Sequence, residues 1–170
     1  AYWSVPYGEE TAINGKWIKA PGQKLFEAVQ KALGKALPII AEDLGTITKE
    51  VDELRTNFEF PGMKILQFAF EVTGESNYLP HQYPDMNCVC YTGTHDNESL
   101  RVWYSHCDEK YKRAIRRFFK KHNLNNPLMS ENMIQYTLES ISRLAIIPMV
   151  DLLNKNDSCR INFPGTVGDP

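Results

Sequence analysis

Apolar residues along the chain fall into short continuous runs and helix-spaced stripes. From Gln23 to Lys35, Leu25, Phe26, Val29 and Leu33 recur at helical spacing behind Pro21-Gly22, which predicts a helix. Leu37 to Ala41 is a short continuous apolar run, the pattern of a strand covered on both faces. Ile47, Val51 and Leu54 form one stripe and predict a helix over Thr46 to Asn57, with Thr46 as its cap. Met63 to Phe70 is the next predicted strand and Cys88 to Thr92 the third. Helices are predicted over Glu98 to His106 and Lys110 to His122, and over Glu131 to Arg143, where Met133, Ile134, Leu138 and Ile141 share a stripe. Leu144 to Val150 is a fourth apolar strand. Two stretches lack a period: Ala1 to Pro21, dense in Trp, Tyr, Pro and Gly, reads as a long irregular loop that shapes a site, and Gly74 to Asn87 as a second loop.

Strands and helices in this order make right-handed crossover units around a parallel sheet, an α/β class. Two architectures satisfy the order: a small doubly wound sheet, or half of an eight-stranded barrel. A complete barrel takes ~250 residues, so these 170 cannot close one economically. Half a barrel leaves two sheet edges unpaired, which invites association.

Composition narrows the partners more than the fold. With 42% hydrophobic, 11% aromatic and 24% charged residues, one core of substantial size is expected. The net charge of −2 sets up no general field for nucleic acid or an anionic membrane. In the basic stretch Lys110 to Lys121, Tyr111, Ile115, Phe118 and Phe119 form an inward stripe and the charges a solvated face. No apolar stretch has the ~20 residues of a membrane span, and no signal pattern opens the chain. Cys88, Cys90, Cys107 and Cys159 form no CxxC pair and are expected to be buried free thiols of a reducing compartment. Ala1 is not a start methionine and Pro170 follows a Gly-Thr-Val-Gly turn, so a segment truncated at both ends is expected.

Two of the apolar runs end in acids on turn-forming sequence: Glu42 in Ile40-Ala41-Glu42-Asp43-Leu44-Gly45, and Asp96 in Tyr91-Thr92-Gly93-Thr94-His95-Asp96-Asn97. Carboxyl ends of parallel strands share one side of a sheet, so acids distant in sequence can face one pocket. Glu42 is expected at the rim of a partly desolvated pocket, where burial suits a carboxyl to general acid work; answering the dipole of the helix after it is the other reading. Asp96, flanked by His95 and Asn97, can grip adjacent sugar hydroxyls as a ring flattens toward an oxocarbenium ion; capping the helix near Glu98 is its alternative. His95-Asp96 lacks the paired-histidine spacing of a zinc site, and His81 falls in a separate loop. The chain has no Gly-x-Ser-x-Gly elbow, Gly-x-Gly-x-x-Gly turn or Walker loop, so no cofactor is indicated. Trp3, Tyr7, Trp17, Tyr78, Tyr83 and Trp103 offer flat rings for the apolar faces of pyranoses, or for packing.

These residues resemble the 4-α-glucanotransferases (amylomaltases, or disproportionating enzymes) of the α-amylase clan. The resemblance is carried in order by Ala1-Tyr2-Trp3-Ser4-Val5-Pro6, Gly15-Lys16-Trp17, Ile40 to Gly45, Phe60-Pro61-Gly62-Met63-Lys64, Leu66-Gln67-Phe68-Ala69-Phe70, Asn77-Tyr78-Leu79-Pro80-His81, Tyr91 to Asn97, and Arg160-Ile161-Asn162-Phe163-Pro164-Gly165-Thr166. It implies the C-terminal half of a TIM (β/α)8 barrel, about strands 5 to 8 with their helices. Residues 1–22 would be an active-site loop region and residues 23–170 the βα units. Glu42 would be the general acid/base, and His95 and Asp96 would bind the reacting sugar, Asp96 stabilising the transition state. Asp43 and Phe68 would shape the acceptor side, with Asn97 and Asn162 also in contact with the glucan. The nucleophile of the family, an aspartate ending the fourth strand, would lie before Ala1, so this chain alone is expected to be inactive. Malto-oligosaccharides or starch glucans would be its ligands and the N-terminal half barrel of the same polypeptide its partner, in cytoplasm or plastid, with no nucleic acid or membrane involved. A hydrolase of the same clan and a non-catalytic glucan-binding module remain as alternatives. Glu98, where the family commonly has Asp, and Val102, where Gly is commoner, depart from the pattern and touch helix packing more than chemistry.

Overall fold

The opening loop contains an antiparallel pair, β1 (Tyr2–Ser4) and β2 (Lys16–Ile18), registered Trp3 opposite Trp17. The two indoles meet edge to face at 5.3 Å, and Trp3 Nε1 donates to the Ala12 carbonyl at 3.0 Å. This cross-strand aromatic pair is what periodicity cannot reveal in strands of three residues. The computed structural model describes residues 1–45, 47–70 and 77–167, in two compact units, Ala1–Phe60 and Pro61–Pro170.

In the first unit α1 (Gly22–Leu33) and α2 (Lys49–Asn57) follow the hairpin. Phe26 of α1 meets Phe58 and Phe60 at 5.3 and 4.9 Å. Thr48 stands at the N-cap position of α2, Glu50 and Asp52 in its first turn and Arg55 in its last, which suits the helix dipole. The predicted cap Thr46 lies outside the described residues. The predicted strand Leu37–Ala41 is a correction: it joins no ladder among the described residues. Its burial alternates, with Leu37, Ile39 and Ala41 half-buried and Pro38, Ile40 and Glu42 exposed, the period of a chain covered on one face rather than two.

The second unit holds a three-stranded parallel sheet, β3 (Gly62–Ile65), β4 (Cys88–Tyr91) and β5 (Leu144–Ile146), with β4 central. Two strands are shorter than predicted. After Ile65 the chain enters a 3-10 segment, Leu66–Phe70, and after Ile146 it turns at Pro148 into α6 (Met149–Leu152). Apolar runs this short do not distinguish strand from helical turn. Residues 71–76, which include the start of the loop predicted from Gly74, lie outside the described residues.

Between β4 and β5 run α3 (Leu100–His106), α4 (Glu109–Lys121) and α5 (Met129–Leu138). The core gathers Leu66, Phe70, Leu100, Ile115, Phe119, Met133 and Tyr136. Each such side chain contributes about 1.5–3 kcal/mol when fully buried. On α4 the predicted stripe is the buried one, Ile115 and Phe119 facing inward while Arg113, Arg116 and Arg117 are exposed. His81 joins this core through a 2.6 Å hydrogen bond between Nδ1 and Tyr136 Oη. Burial pushes the Tyr136 phenol up to about 12. All four cysteines are free thiols; Cys88 and Cys90 are buried, whereas Cys159 is exposed, against expectation. Among the described residues no helix is long and apolar enough to cross a membrane.

Candidate active site

Strand β4 delivers its chain into a short loop that is tied at almost every residue. Thr92 is wholly buried, and a Cβ added to Gly93 would stand 3.0 Å from Gln67 Nε2 and 3.3 Å from Asn97 Cβ, a tight fit that glycine relieves. Gln67 Nε2 donates to the Glu98 carbonyl at 2.7 Å, fixing the far side of the loop to the segment after β3. Asn97 Oδ1 accepts from Thr94 N and Oγ1 at 2.8 and 2.9 Å, a side-chain closure that mimics a backbone turn.

At the tip His95 and Asp96 are open to solvent, with side chains 65% and 58% exposed. His95 Nε2 lies 3.4 Å from Asp96 Oδ1, and Asn162 Nδ2 donates to the same oxygen at 2.5 Å. Arg160 Nη2 donates to the Asp96 carbonyl at 2.8 Å while its Nη1 faces Asp157 Oδ2 at 3.3 Å. The cap of α3 is Ser99, whose Oγ accepts from Val102 N at 3.5 Å. Asp96 therefore does not cap the helix, and its carboxylate is presented outward with one oxygen held by Asn162. That arrangement can accept hydrogen bonds from two neighbouring hydroxyls of a sugar. Beside the loop a cavity of about 300 Å³ is lined by Thr94, His95, Asn97, Met149, Arg160 and Ile161, among others.

Phe68 follows β3, half-buried, with its ring edge-to-face on Tyr78 at 5.6 Å. In the other unit Glu42 is exposed rather than desolvated, on the irregular segment before Gly45, whose φ of 92° requires glycine. Asp43 turns toward α2, its Oδ2 3.4 Å from Arg55 Nε. Neither acid sits in the first turn of α2, which has Glu50 and Asp52 there. Glu98 meets His106 Nδ1 at 3.0 Å across α3, so its departure from the family pattern is absorbed at the helix surface.

Three residues of the second unit that brace the loop were given no site role by the sequence: Asp151, Asp157 and Arg160, the last of them named only within its motif. Asp151 is 2% exposed, and its carboxylate accepts from Thr92 Oγ1 and from Leu100 N, both at 2.7 Å. Burial raises its pKa above the ordinary carboxylate value, and the two hydrogen bonds partly offset that. Asp157 Oδ1 accepts from Ser99 N at 2.9 Å. The signal for Asp151 was present, since it ends the apolar run from Leu144 as Glu42 and Asp96 end theirs. Among the described residues no group of three His, Cys, Asp or Glu side chains is placed to hold a metal ion.

A family model described as 4-alpha-glucanotransferase matches residues 1–170. The chain belongs to the 4-alpha-glucanotransferase family. It is 44% identical over 166 residues to a 4-alpha-glucanotransferase of Synechocystis sp., covering 98% of this chain and 32% of that protein. It is 42% identical to the chloroplastic/amyloplastic 4-alpha-glucanotransferase of Solanum tuberosum, covering 97% of this chain and 28% of the relative. Its mixed α/β fold matches an amylomaltase from Streptococcus agalactiae in complex with acarbose, with a TM-score of 0.88 and 38% identity over 98% of this chain and 33% of that one. The chain thus spans about a third of the length of these relatives.

Proposed function

We propose that this chain is the C-terminal half barrel of a 4-α-glucanotransferase, carrying the acid/base and the transition-state acid, and that the full-length enzyme moves α-1,4-glucan segments between malto-oligosaccharides or starch chains. The observation that carries this is the outward Asp96 carboxylate, gripped by Asn162 beside His95 in a loop tied along its length, within a chain of this family. The enzyme acts in the cytoplasm or a plastid.

The reaction is a retaining double displacement. A carboxylate nucleophile from the N-terminal half barrel attacks the anomeric carbon while protonated Glu42 gives its proton to the departing 4-oxygen, releasing the first glucan and leaving a glucosyl ester. Glu42, now ionised, takes the proton from the 4-hydroxyl of an acceptor, whose oxygen displaces the ester and restores the carboxylate. Asp96 and His95 hold hydroxyls of the sugar at the anomeric centre as positive charge develops. Phe68, Asp43, Asn97 and Asn162 line the glucan path, and the aromatic opening segment, residues 1–22, excludes water so that transfer outruns hydrolysis.

Glu42→Gln in the full-length enzyme tests the assignment. Transfer from maltotriose should fall about a thousandfold or more while glucan binding persists; near-normal turnover would remove Glu42 from its role. A crystal structure of the same enzyme with a bound oligosaccharide should place the Glu42 and Asp96 carboxyl groups about one sugar, within ~10 Å of each other.

A further inference from the structure

Asp151 is the most buried carboxylate of the described chain, and its two oxygens go to opposite ends of one loop. Oδ2 accepts from the Thr92 hydroxyl, immediately after β4, and Oδ1 from the Leu100 amide, at the start of α3; both distances are 2.7 Å. Between those anchors lie the seven residues that contain His95, Asp96 and Asn97. The carboxylate itself comes from α6, directly after β5 and Pro148. A second strap runs parallel: Asp157 accepts from Ser99 N and pairs with Arg160, which donates to the Asp96 carbonyl.

We propose that Asp151 is a positioning residue for the transferase reaction: by clamping Thr92 and Leu100 it sets the span of the loop, and hence where the Asp96 carboxylate stands against the reacting sugar. The inference rests on the glucanotransferase reading for its kinetic consequence, but the clamp itself is a property of the fold. An apolar side chain here would leave the Thr92 hydroxyl and the Leu100 amide without this acceptor, so the carboxylate serves folding as well as the loop, and the two roles are separated by the readouts below. A carboxylate supplies what an apolar residue cannot, two acceptors fixed about one carbon and reaching two donors eight residues apart in sequence. A displacement of the reacting geometry by ~1 Å is enough to cost about a hundredfold in rate, so a change in the span of this loop is read in kcat even where the fold survives.

The test uses the full-length enzyme carrying this segment, with Asp151→Ala, Asp151→Asn, Thr92→Val and Thr92→Ser. Alanine removes both anchors. Asparagine keeps them, because its oxygen can accept from Leu100 N and its amide can donate to Thr92 Oγ1. Valine at 92 removes one anchor with little change in shape, and serine restores it. Two readouts are taken on the folded fraction: disproportionation of maltotriose, and hydrogen exchange of the segment 92–100 against the core segments 115–119 and 133–137. In Asp151→Ala and Thr92→Val, kcat should fall about ten- to a hundredfold with KM within about threefold. Exchange should rise in 92–100 alone, and the asparagine and serine variants should lie within about fivefold of the unaltered enzyme in kcat. Loss of activity only in proportion to unfolded protein, or unaltered kcat in the alanine and valine variants, would overturn the proposal. Should the unaltered enzyme fail to disproportionate maltotriose, the functional reading falls, and the exchange of segment 92–100 in Asp151→Ala and Thr92→Val decides the clamp by itself. Unchanged protection there would overturn it.

Discussion

Asp96 and Asp151 each follow an apolar run, yet the Asp96 side chain is 58% exposed and Asp151 is 2% exposed as a residue. The difference lies in what is offered to each carboxylate. Thr92 and Leu100 direct two donors inward to Asp151, whereas Asp96 receives Asn162 on one oxygen and faces solvent with the rest. Burial also acts on His122, a group it holds neutral. Burial among aromatic rings, with His81 and Lys121 adding to it, holds its pKa below the ordinary histidine value. The folded chain then binds fewer protons at this position than the unfolded chain, so stability from neutral His122 is present above the unfolded pKa of about 6.5 and is lost as pH falls through the folded one. Urea midpoints measured at pH 8, 7, 6 and 5 should decline toward acid, and His122→Gln should make that decline shallower; identical slopes would show that His122 takes no part. The acids proposed to act in the reaction are marked in the sequence only by position. Glu42 and Asp96 stand out by ending apolar runs before turns, and Asp151 has the same mark but only its partners reveal its use.

The helices were the most legible elements. The predicted spans of α1 to α4 lie within about three residues of the observed bounds, but α5 ends at Leu138 rather than Arg143, and of the predicted stripes the one on α4 is the buried one: Leu25 and Leu33 of α1, Val51 of α2, and Leu138 and Ile141 are exposed. Caps refine the starts: Asp108 Oδ1 accepts from Tyr111 N at 2.6 Å and begins α4, and Ser99 begins α3. Asp108→Ala should cost about 1 kcal/mol, read as a lower urea midpoint with unchanged maltotriose turnover in the full-length enzyme, since the cap lies outside the proposed site. Strands were legible as apolar runs but not as ladders. Leu37–Ala41 has the composition of a strand and no pairing partner among the described residues, while β1 and β2 pair without the apolar pattern that would announce them. A ladder is a property of two segments, and one segment does not contain it.

For the molecule as a whole, the second unit, Pro61–Pro170, combines three parallel strands with a core to which α3 gives Leu100, α4 Ile115 and Phe119, and α5 Met133 and Tyr136. The 170-residue chain alone should give no glucose or longer oligosaccharides from maltotriose, because the nucleophile proposed for the reaction belongs to the N-terminal half barrel. Chromatographic resolution of an overnight incubation checks this, and clear disproportionation would refute the half-barrel reading. By itself the sequence determined the α/β character, the approximate spans of the helices and the two apolar runs followed by acids, since these follow from local spacing of apolar and turn-forming residues. Only the tertiary structure decided that Asp96 faces outward against Asn162 and that Asp151 spans the loop from Thr92 to Leu100. Those contacts join residues more than fifty positions apart, and distance along the chain carries no record of which donors will meet which acceptors.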